Sequence, residues 1–179
     1  MSEEHVTRTI RLEASLDEVL RLEADEKNTS INSIVNDLIY QYVYNGRFFS
    51  QDHIISLEAT TLESLLKGIS KERVIEAGLL AGKLQARDNL LMRGMPINYE
   101  SLKWFIIEVL EDYCGWFRCS YHELDEQYMF HLRHNLGNEG GCFLQAYLKA
   151  MVKDILDLDV EPEVLNGTIT LRIPIKKTY

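Results

Sequence analysis

Cysteine is scarce in this chain, and hydrophobic runs are short. Three cysteines among 179 residues, an odd number, do not suggest a disulfide framework, and they predict a reducing compartment. No stretch approaches the roughly 20 consecutive apolar residues that a transmembrane helix needs. The first residues, Met-Ser-Glu-Glu, are acidic and unlike a secretion signal. We therefore predict a cytoplasmic protein that has no membrane-spanning segment.

Basic residues are also in short supply. The chain has 19 Lys and Arg against 28 Asp and Glu, which gives a formal net charge of −9. Before residue 46 there are four basic and nine acidic residues, so this segment has a formal net charge of −5. Neutralisation of phosphates by basic side chains supplies most non-specific affinity for DNA. We therefore expect weak binding to random DNA.

Familiar catalytic signatures are missing: no Gly-x-Ser-x-Gly, no helical His pair with Glu and no kinase motif occurs. The candidate reactive residues are Cys114, Cys119, His122, His131, His134 and Cys142. The spacing Cys114-x4-Cys119-x2-His122 is not a standard zinc pattern, and Cys119 and His122 would point to opposite faces of one strand. We expect no enzyme activity, no cofactor and no metal, with cysteines as small apolar filler and histidines as ordinary strand residues.

A glycine-rich stretch, Gly137-Asn-Glu-Gly-Gly141, follows His134, where a strand enters a helix. Such a junction can present backbone amides to a phosphate. The stretch lacks the Lys-Ser/Thr ending of a nucleotide-binding loop, and Glu139 repels anions. It is predicted to be a flexible loop before a helix over residues 143–156.

The first forty-odd residues have the most distinctive pattern. Residues 5–12 alternate as in a β-strand, with Val6, Arg8, Ile10 and Leu12 on one face and Thr7, Thr9 and Arg11 on the other. A helix is expected over residues 16–26, with Ser15 as N-cap and Glu18 completing a capping box. Asn28 then tolerates a left-handed backbone, and Ser30 caps a second helix.

That second helix has a wide apolar stripe, formed by Ile31, Ile34, Val35, Leu38, Ile39, Tyr42 and Val43. One strand and two helices have too little material to cover such a stripe. We therefore expect this segment to fold only by intertwining with a second copy of the chain.

Residues 5–45 resemble the ribbon-helix-helix family of the MetJ, Arc and CopG type, with Asn28 where the family often has Gly and with Arg8 at an inward position. The resemblance implies a symmetric homodimer whose paired strands enter the major groove of double-stranded DNA. It also implies that Thr7, Thr9 and Arg11 contact bases, and that Ser30 and Asn32 hold a phosphate at the start of the second helix.

Residues 47–179 are predicted to form a second domain, after a dimerisation and DNA-binding domain of residues 1–46. Its expected elements are strands at 53–57, 116–122, 128–134, 160–165 and 168–173 and helices at 62–66, 70–92, 99–113 and 143–156. The turn Asn166-Gly167 strongly predicts a hairpin. The chain as a whole is thus expected to be α+β, with an antiparallel sheet covered by helices on one face.

Aromatic residues concentrate between Trp104 and Tyr147: Trp104, Phe105, Trp116, Phe117, Tyr121, Tyr128, Phe130, Phe143 and Tyr147. They are expected to form a core, and the alternative is the wall of a cavity for a small-molecule effector. The stretch Arg133-His-Asn-Leu-Gly137 is similar to one in uncharacterised archaeal proteins, a resemblance that implies no activity.

These patterns lead to two hypotheses. The first is a sequence-specific transcriptional regulator, a dimer or tetramer whose C-terminal domain oligomerises or senses a ligand. The second is an assembly protein, or an antitoxin-like interaction protein, that uses the same dimer fold without DNA. The acidic N-terminal segment favours the second hypothesis, and its Thr and Arg strand face favours the first.

Overall fold

The computed structural model describes residues 6–49 and 55–175. Its contacts separate an N-terminal unit, Met1–Arg47, from a C-terminal unit, Phe48–Tyr179. The chain is mixed α and β, as predicted, and all strands of the described residues lie in the C-terminal unit. None of the helices in these ranges is long and apolar enough to cross a membrane.

Two helices make up most of the N-terminal unit, α1 (Ala14–Glu26) and α2 (Ile31–Gln41). Asn28 between them has φ of 51°, and the Thr29 amide donates to the Ala24 carbonyl at 2.9 Å, which closes α1. The Ser30 hydroxyl oxygen accepts from the Ser33 amide at 3.1 Å and caps α2. The predicted turn is therefore confirmed. A π-helical turn (Tyr42–Gly46) and α3 (Arg47–Phe49) follow.

The predicted start of α1 is wrong. The helix begins at Ala14, and its N-cap is Glu13, which has an extended backbone and makes no side-chain capping bond. Ser15 therefore lies inside the first turn, so it is not the N-cap of this helix and does not form the predicted capping box with Glu18. Ala14 is an excellent helix former, so the helix begins two residues before the expected start at residue 16.

The predicted strand of residues 5–12 is not seen: residues 6–12 lie outside any helix or strand, and His5 falls outside the described residues. A β-strand is defined by hydrogen bonds to a neighbouring strand. A single chain contains one copy of this segment, so a ribbon made from two copies has no partner here.

The C-terminal unit begins with helices α4 (Ala59–Leu66), α5 (Lys71–Met92) and α6 (Tyr99–Trp104), which continues as a π-helix (Phe105–Tyr113). Asn98 caps α6 by accepting from the Ser101 amide at 3.0 Å. The strand expected over 53–57 is wrong for residues 55–57, which are exposed and form no strand, and residues 53 and 54 lie outside the described ranges.

Four antiparallel strands form one sheet, in the order β1-β2-β4-β3. They are β1 (Arg118–Glu123), β2 (Gln127–Arg133), β3 (Glu163–Leu165) and β4 (Thr168–Pro174). Asn166 and Gly167 have φ of 48° and 74°, so the predicted hairpin and its left-handed turn are confirmed.

Helix α7 (Gly137–Leu156) is the centre of the core. It contacts α5, α6, β3 and β4, and its buried side chains include Leu144, Tyr147, Leu148 and Met151. Phe130 and Leu132 of β2 pair with Leu171 and Ile169 of β4, and all four side chains are fully buried. The opposite sheet face carries exposed Ser120, His122, Arg133 and Arg172. One face of the sheet thus packs on the core.

The prediction of a loop over Gly137–Gly141 is wrong, because these residues form the first turns of α7. A Cβ atom on Gly140 would lie 2.2 Å from the Leu136 Cβ, and one on Gly141 would lie 3.3 Å from the His134 Nε2. Close packing of the helix start therefore explains the glycine at position 140, and it leaves little room for a side chain at position 141.

The backbones of α5 and α7 approach each other closely at two glycines. An added Cβ would lie 2.5 Å from the Phe143 carbonyl oxygen at Gly78 and 2.2 Å from the Tyr147 carbonyl oxygen at Gly82. The Arg87 Nε also donates to the Asp154 Oδ2 at 2.6 Å and links the two helices near their other ends.

Replacing Gly82→Ala should lower the free energy of unfolding by about 1–3 kcal/mol, because a methyl group there meets backbone atoms that move only if the two helices separate. Gly68→Ala is the matched control, since its nearest neighbour would be 3.9 Å away. Urea titrations of the full chain would compare the two. Equal stability of the Gly82→Ala variant and the wild type would contradict this packing.

Candidate functional site

The three residues predicted to contact bases precede α1 and are all exposed. Thr7, Thr9 and Arg11 lie in a segment that forms no helix or strand. Within this segment, the Arg8 Nη1 donates a long hydrogen bond of 3.4 Å to the Thr7 carbonyl oxygen. The side chains of this segment are therefore free to meet another molecule.

The two predicted phosphate-contacting residues lie at the start of α2, and both are exposed. The Ser30 oxygen already accepts from the Ser33 amide, and its hydroxyl proton can still be donated. Asn32 occupies the first turn, where backbone amides have no acceptor within the helix. These donors and the positive end of the helix dipole favour an anion at this place.

Charge near these residues is mostly negative, and two of the four basic residues before residue 46 form ion pairs with carboxylates. The Arg21 Nε lies 2.7 Å from the Asp17 Oδ2, and the Lys27 Nζ lies 2.6 Å from the Glu23 Oε1. Hydrogen bonds to these carboxylates raise the pKa of both basic groups. Arg8 and Arg11 form no ion pair within residues 6–49. They are therefore the positive charges best able to meet a phosphate or a base.

Both helices of the N-terminal unit expose large apolar side chains. Leu22 of α1 is 65% exposed, Leu38 of α2 is 59% exposed and Tyr42 is 64% exposed. Within residues 6–47, only Ala24 and Ile34 are buried apolar residues. This unit therefore has almost no core of its own.

The histidines and cysteines of the C-terminal unit do not assemble into one site. Cys119 pairs with Leu132 on the core side of the sheet and His122 lies on the open side, so these two residues point to opposite faces, as predicted. His131 also lies on the open side, and its ring centroid is 6.0 Å from that of His122. The His131 ring nitrogen also contacts the Thr170 hydroxyl at 3.1 Å. Across the described ranges, no three His, Cys, Asp or Glu residues come close enough to hold a metal ion.

The thiols differ from the expected buried filler. Cys114 is exposed, and Cys119 and Cys142 are half-buried. Cys114 directly follows the π-helix, where Gly115 turns the chain, so it lies at the surface. Desolvation raises the pKa of Cys114 to about 11 and that of Cys119 to about 12, in the latter case helped by Glu111 and Asp112. These two thiols are protonated at neutral pH and are weak nucleophiles.

His134 is a buried titratable group of this unit, with 6% of its surface exposed. Its Nδ1 accepts from the Leu136 amide at 3.3 Å, so its Nε2 carries the proton in the neutral ring. That buried Nε2 makes no hydrogen bond with any residue of the ranges 6–49 and 55–175. Burial lowers the pKa of His134 below its ordinary value. The ring is a packed, neutral element between β2 and α7.

No protein-family model and no curated protein matches this sequence. The candidate interface therefore has to be judged by its own residues. Sequence reasoning missed the role of the glycines beside His134. The sequence predicts a cavity among the aromatic residues only as the alternative to a packed core. The C-terminal unit contains a cavity lined by two of those residues, Trp116 and Phe143, and by segments far apart in the chain.

Stability should decrease as the pH falls below 6.5, because the unfolded state binds a proton at His134 that the folded state resists. His134→Asn keeps a hydrogen-bond acceptor near the Leu136 amide but does not titrate. This variant should therefore show a weaker loss of stability between about pH 7 and pH 5 than the wild type.

Urea unfolding at several pH values would measure this effect. His122→Asn, which removes an exposed histidine of the open sheet face, is the control and should keep the pH dependence of the wild type. An unchanged pH dependence in the His134→Asn variant would show that His134 does not carry it.

Proposed function

We propose that this protein is a sequence-specific DNA-binding transcriptional regulator of the ribbon-helix-helix type, acting as a homodimer or a higher oligomer. The main supporting observation is the N-terminal unit, in which two helices expose their apolar faces and have almost no core. They are joined by a left-handed Asn28 and a capping Ser30. A second copy of the same unit supplies the missing half of the core.

The exposed side chains are numerous enough to drive this association. They are Leu16, Val19 and Leu22 on α1, and Leu38, Ile39, Tyr42 and Val43 on α2 and its π-helical extension. Burying one large apolar side chain contributes about 1.5–3 kcal/mol. Covering even half of these residues would offset the entropy that two chains lose on association.

The segment of residues 6–12 would become the ribbon. Pairing of two copies in antiparallel fashion satisfies its backbone hydrogen bonds and places alternate residues on opposite faces. Val6 and Ile10, both more than half exposed in the single chain, would then turn toward the helices. Thr7, Thr9 and Arg11 would face the major groove, where Arg can bond to guanine and Thr can contact thymine methyls.

The start of α2 would hold the ribbon in the groove. Free first-turn amides, the Ser30 hydroxyl and the Asn32 side chain would bind a DNA phosphate beside the ribbon. Such contacts fix the depth and register of the ribbon but do not read sequence. Selectivity would therefore come from Thr7, Thr9 and Arg11.

The C-terminal unit would regulate or extend the assembly. Its helix α5 carries exposed Leu80, Leu84 and Leu91, which lie on one side of the helix at helical spacing. An exposed apolar stripe of this kind supports assembly beyond the dimer.

The competing function is an assembly or antitoxin-like protein that uses the same dimer without DNA. The observation that favours it is the charge of the N-terminal segment, with nine acidic residues against four basic ones before residue 46. The two functions share the dimer and differ in what the ribbon contacts. Separate experiments therefore test the dimer and the DNA contact.

The full chain should be a dimer or a larger oligomer in solution, and Leu38→Glu should shift it toward monomer at micromolar concentration. A carboxylate at this position would have to be buried in the dimer, which is strongly unfavourable. Asn36→Glu adds the same charge on the polar side of α2 and should leave the assembly unchanged. Sedimentation velocity measures all three proteins, and a monomeric wild type would exclude the proposed dimer.

The wild type should select particular sequences from fragmented genomic DNA, and Arg11→Ala should reduce the affinity for a selected sequence by about 1–3 kcal/mol, or roughly 5- to 150-fold. Arg8→Ala removes the same charge from the opposite face of the segment, so it is the matched control. It should keep the sequence preference, with only a uniform loss of affinity.

Binding would be measured by fluorescence anisotropy at two salt concentrations, with selected and scrambled duplexes. A wild type that selects no sequence, or an Arg11→Ala variant that discriminates as well as the wild type, would contradict the regulator function. If the dimer forms but no DNA is selected, the assembly function is supported instead.

A further inference from the structure

The C-terminal unit contains a cavity of about 430 Å³. Its walls come from the chain before α4, from α4 itself, from the turn after the π-helix and from the start of α7. The main lining side chains are Leu57, Leu62, Tyr113, Trp116, Leu136 and Phe143. This volume lies within the range of about 300–1,000 Å³ that is typical of small-molecule sites.

The aromatic walls of the cavity are held in place from behind. Trp116 packs edge-on against Tyr147, with ring centroids 5.1 Å apart, and Tyr147 is buried in the core. Phe49 stacks on Tyr113 at 5.0 Å. The cavity opens to the surface beside the exposed residues 55–57, so a ligand can enter a space whose aromatic walls are already in place.

The described part of the lining is mainly apolar. None of the described lining residues is Asp, Glu, Lys, Arg or His, and the side chains among them that can hydrogen-bond are Ser56, Tyr113, Cys114 and Trp116. Desolvation keeps the Cys114 thiol protonated at neutral pH, so it is a neutral group. Burial of a charged ligand against such walls would be costly, because none of the described lining residues carries a compensating charge.

We propose that this cavity binds a neutral, mainly hydrocarbon small molecule with at most one or two polar groups, which would hydrogen-bond to lining side chains such as Ser56 or Tyr113. The ligand would contact Trp116, Phe143 and the leucines of α4 and α7. This inference concerns binding alone and does not require that the N-terminal unit binds DNA.

Two probes with the same aromatic skeleton test the preference for a neutral ligand. N-phenyl-1-naphthylamine is neutral, and 8-anilino-1-naphthalenesulfonate carries one negative charge. Titrated into the full-length protein, the neutral probe should bind with one site per chain and at least tenfold more tightly than the sulfonate, as measured by fluorescence. No saturable binding of the neutral probe, or equal binding of both probes, would overturn the proposal.

A pair of variants on α4 locates the binding. Ala59 lines the cavity at its exposed edge, so Ala59→Trp should fill it and weaken binding of the neutral probe by at least tenfold. Thr60→Trp places the same side chain on the neighbouring exposed position, outside the lining, and should bind as the wild type does. Equal binding by both variants would place the probe elsewhere and overturn the assignment.

Positions 59 and 60 are exposed, so both variants should fold, and circular dichroism checks that they do. The probe titrations contain no DNA, and the DNA titrations contain no probe. Failure of one proposal is therefore distinguishable from failure of the other.

Discussion

The close contact between α5 and α7 determines the arrangement of the C-terminal unit. Gly78 and Gly82 let the two backbones approach within a distance that any Cβ would prevent. With one side of α7 set against α5, its other buried side chains meet the sheet. The start of α7 then supplies Leu136, Gly140 and Phe143 to the cavity. The core and the cavity thus both depend on the position of α7, which is set by the glycines Gly78 and Gly82 of α5.

The N-terminal unit presents the opposite situation, because its two helices have no third layer to pack against. A helix with an apolar stripe is stable in water only if the stripe is covered. Within residues 6–47 the covered apolar residues are Ala24 and Ile34, which is far too little for an independent core. Its local structure is nevertheless well defined by the Ser30 cap and the left-handed Asn28. Well-formed helix ends combined with a missing core are what an intertwined dimer requires of each chain.

The features that could be predicted from the sequence are those encoded by neighbouring residues. Asn166-Gly167 specifies its hairpin turn, Ser30 its helix cap and the apolar spacing of residues 99–113 its buried face. Gly137–Gly141 was misread because the reason for its glycines lies in contacts with Leu136 and His134. Of the aromatic cluster, Trp116 and Phe143 line the cavity, and Phe105, Phe117, Phe130 and Tyr147 are core. Spacing along the chain could not separate these two groups, because the cavity is built by segments up to about ninety residues apart.

The distribution of charge determines what kind of DNA binding this unit could support. Arg21 and Lys27 form ion pairs with carboxylates of α1, so these carboxylates largely neutralise their charge. Of the basic residues before residue 46, Arg8 and Arg11 remain, and both belong to the segment that would form the ribbon. A dimer would then bring few free positive charges to the phosphates, and counterion release would contribute little affinity. Binding would have to depend on contacts with base edges and on shape. A protein built in this way would ignore most of the genome and bind only where those contacts fit.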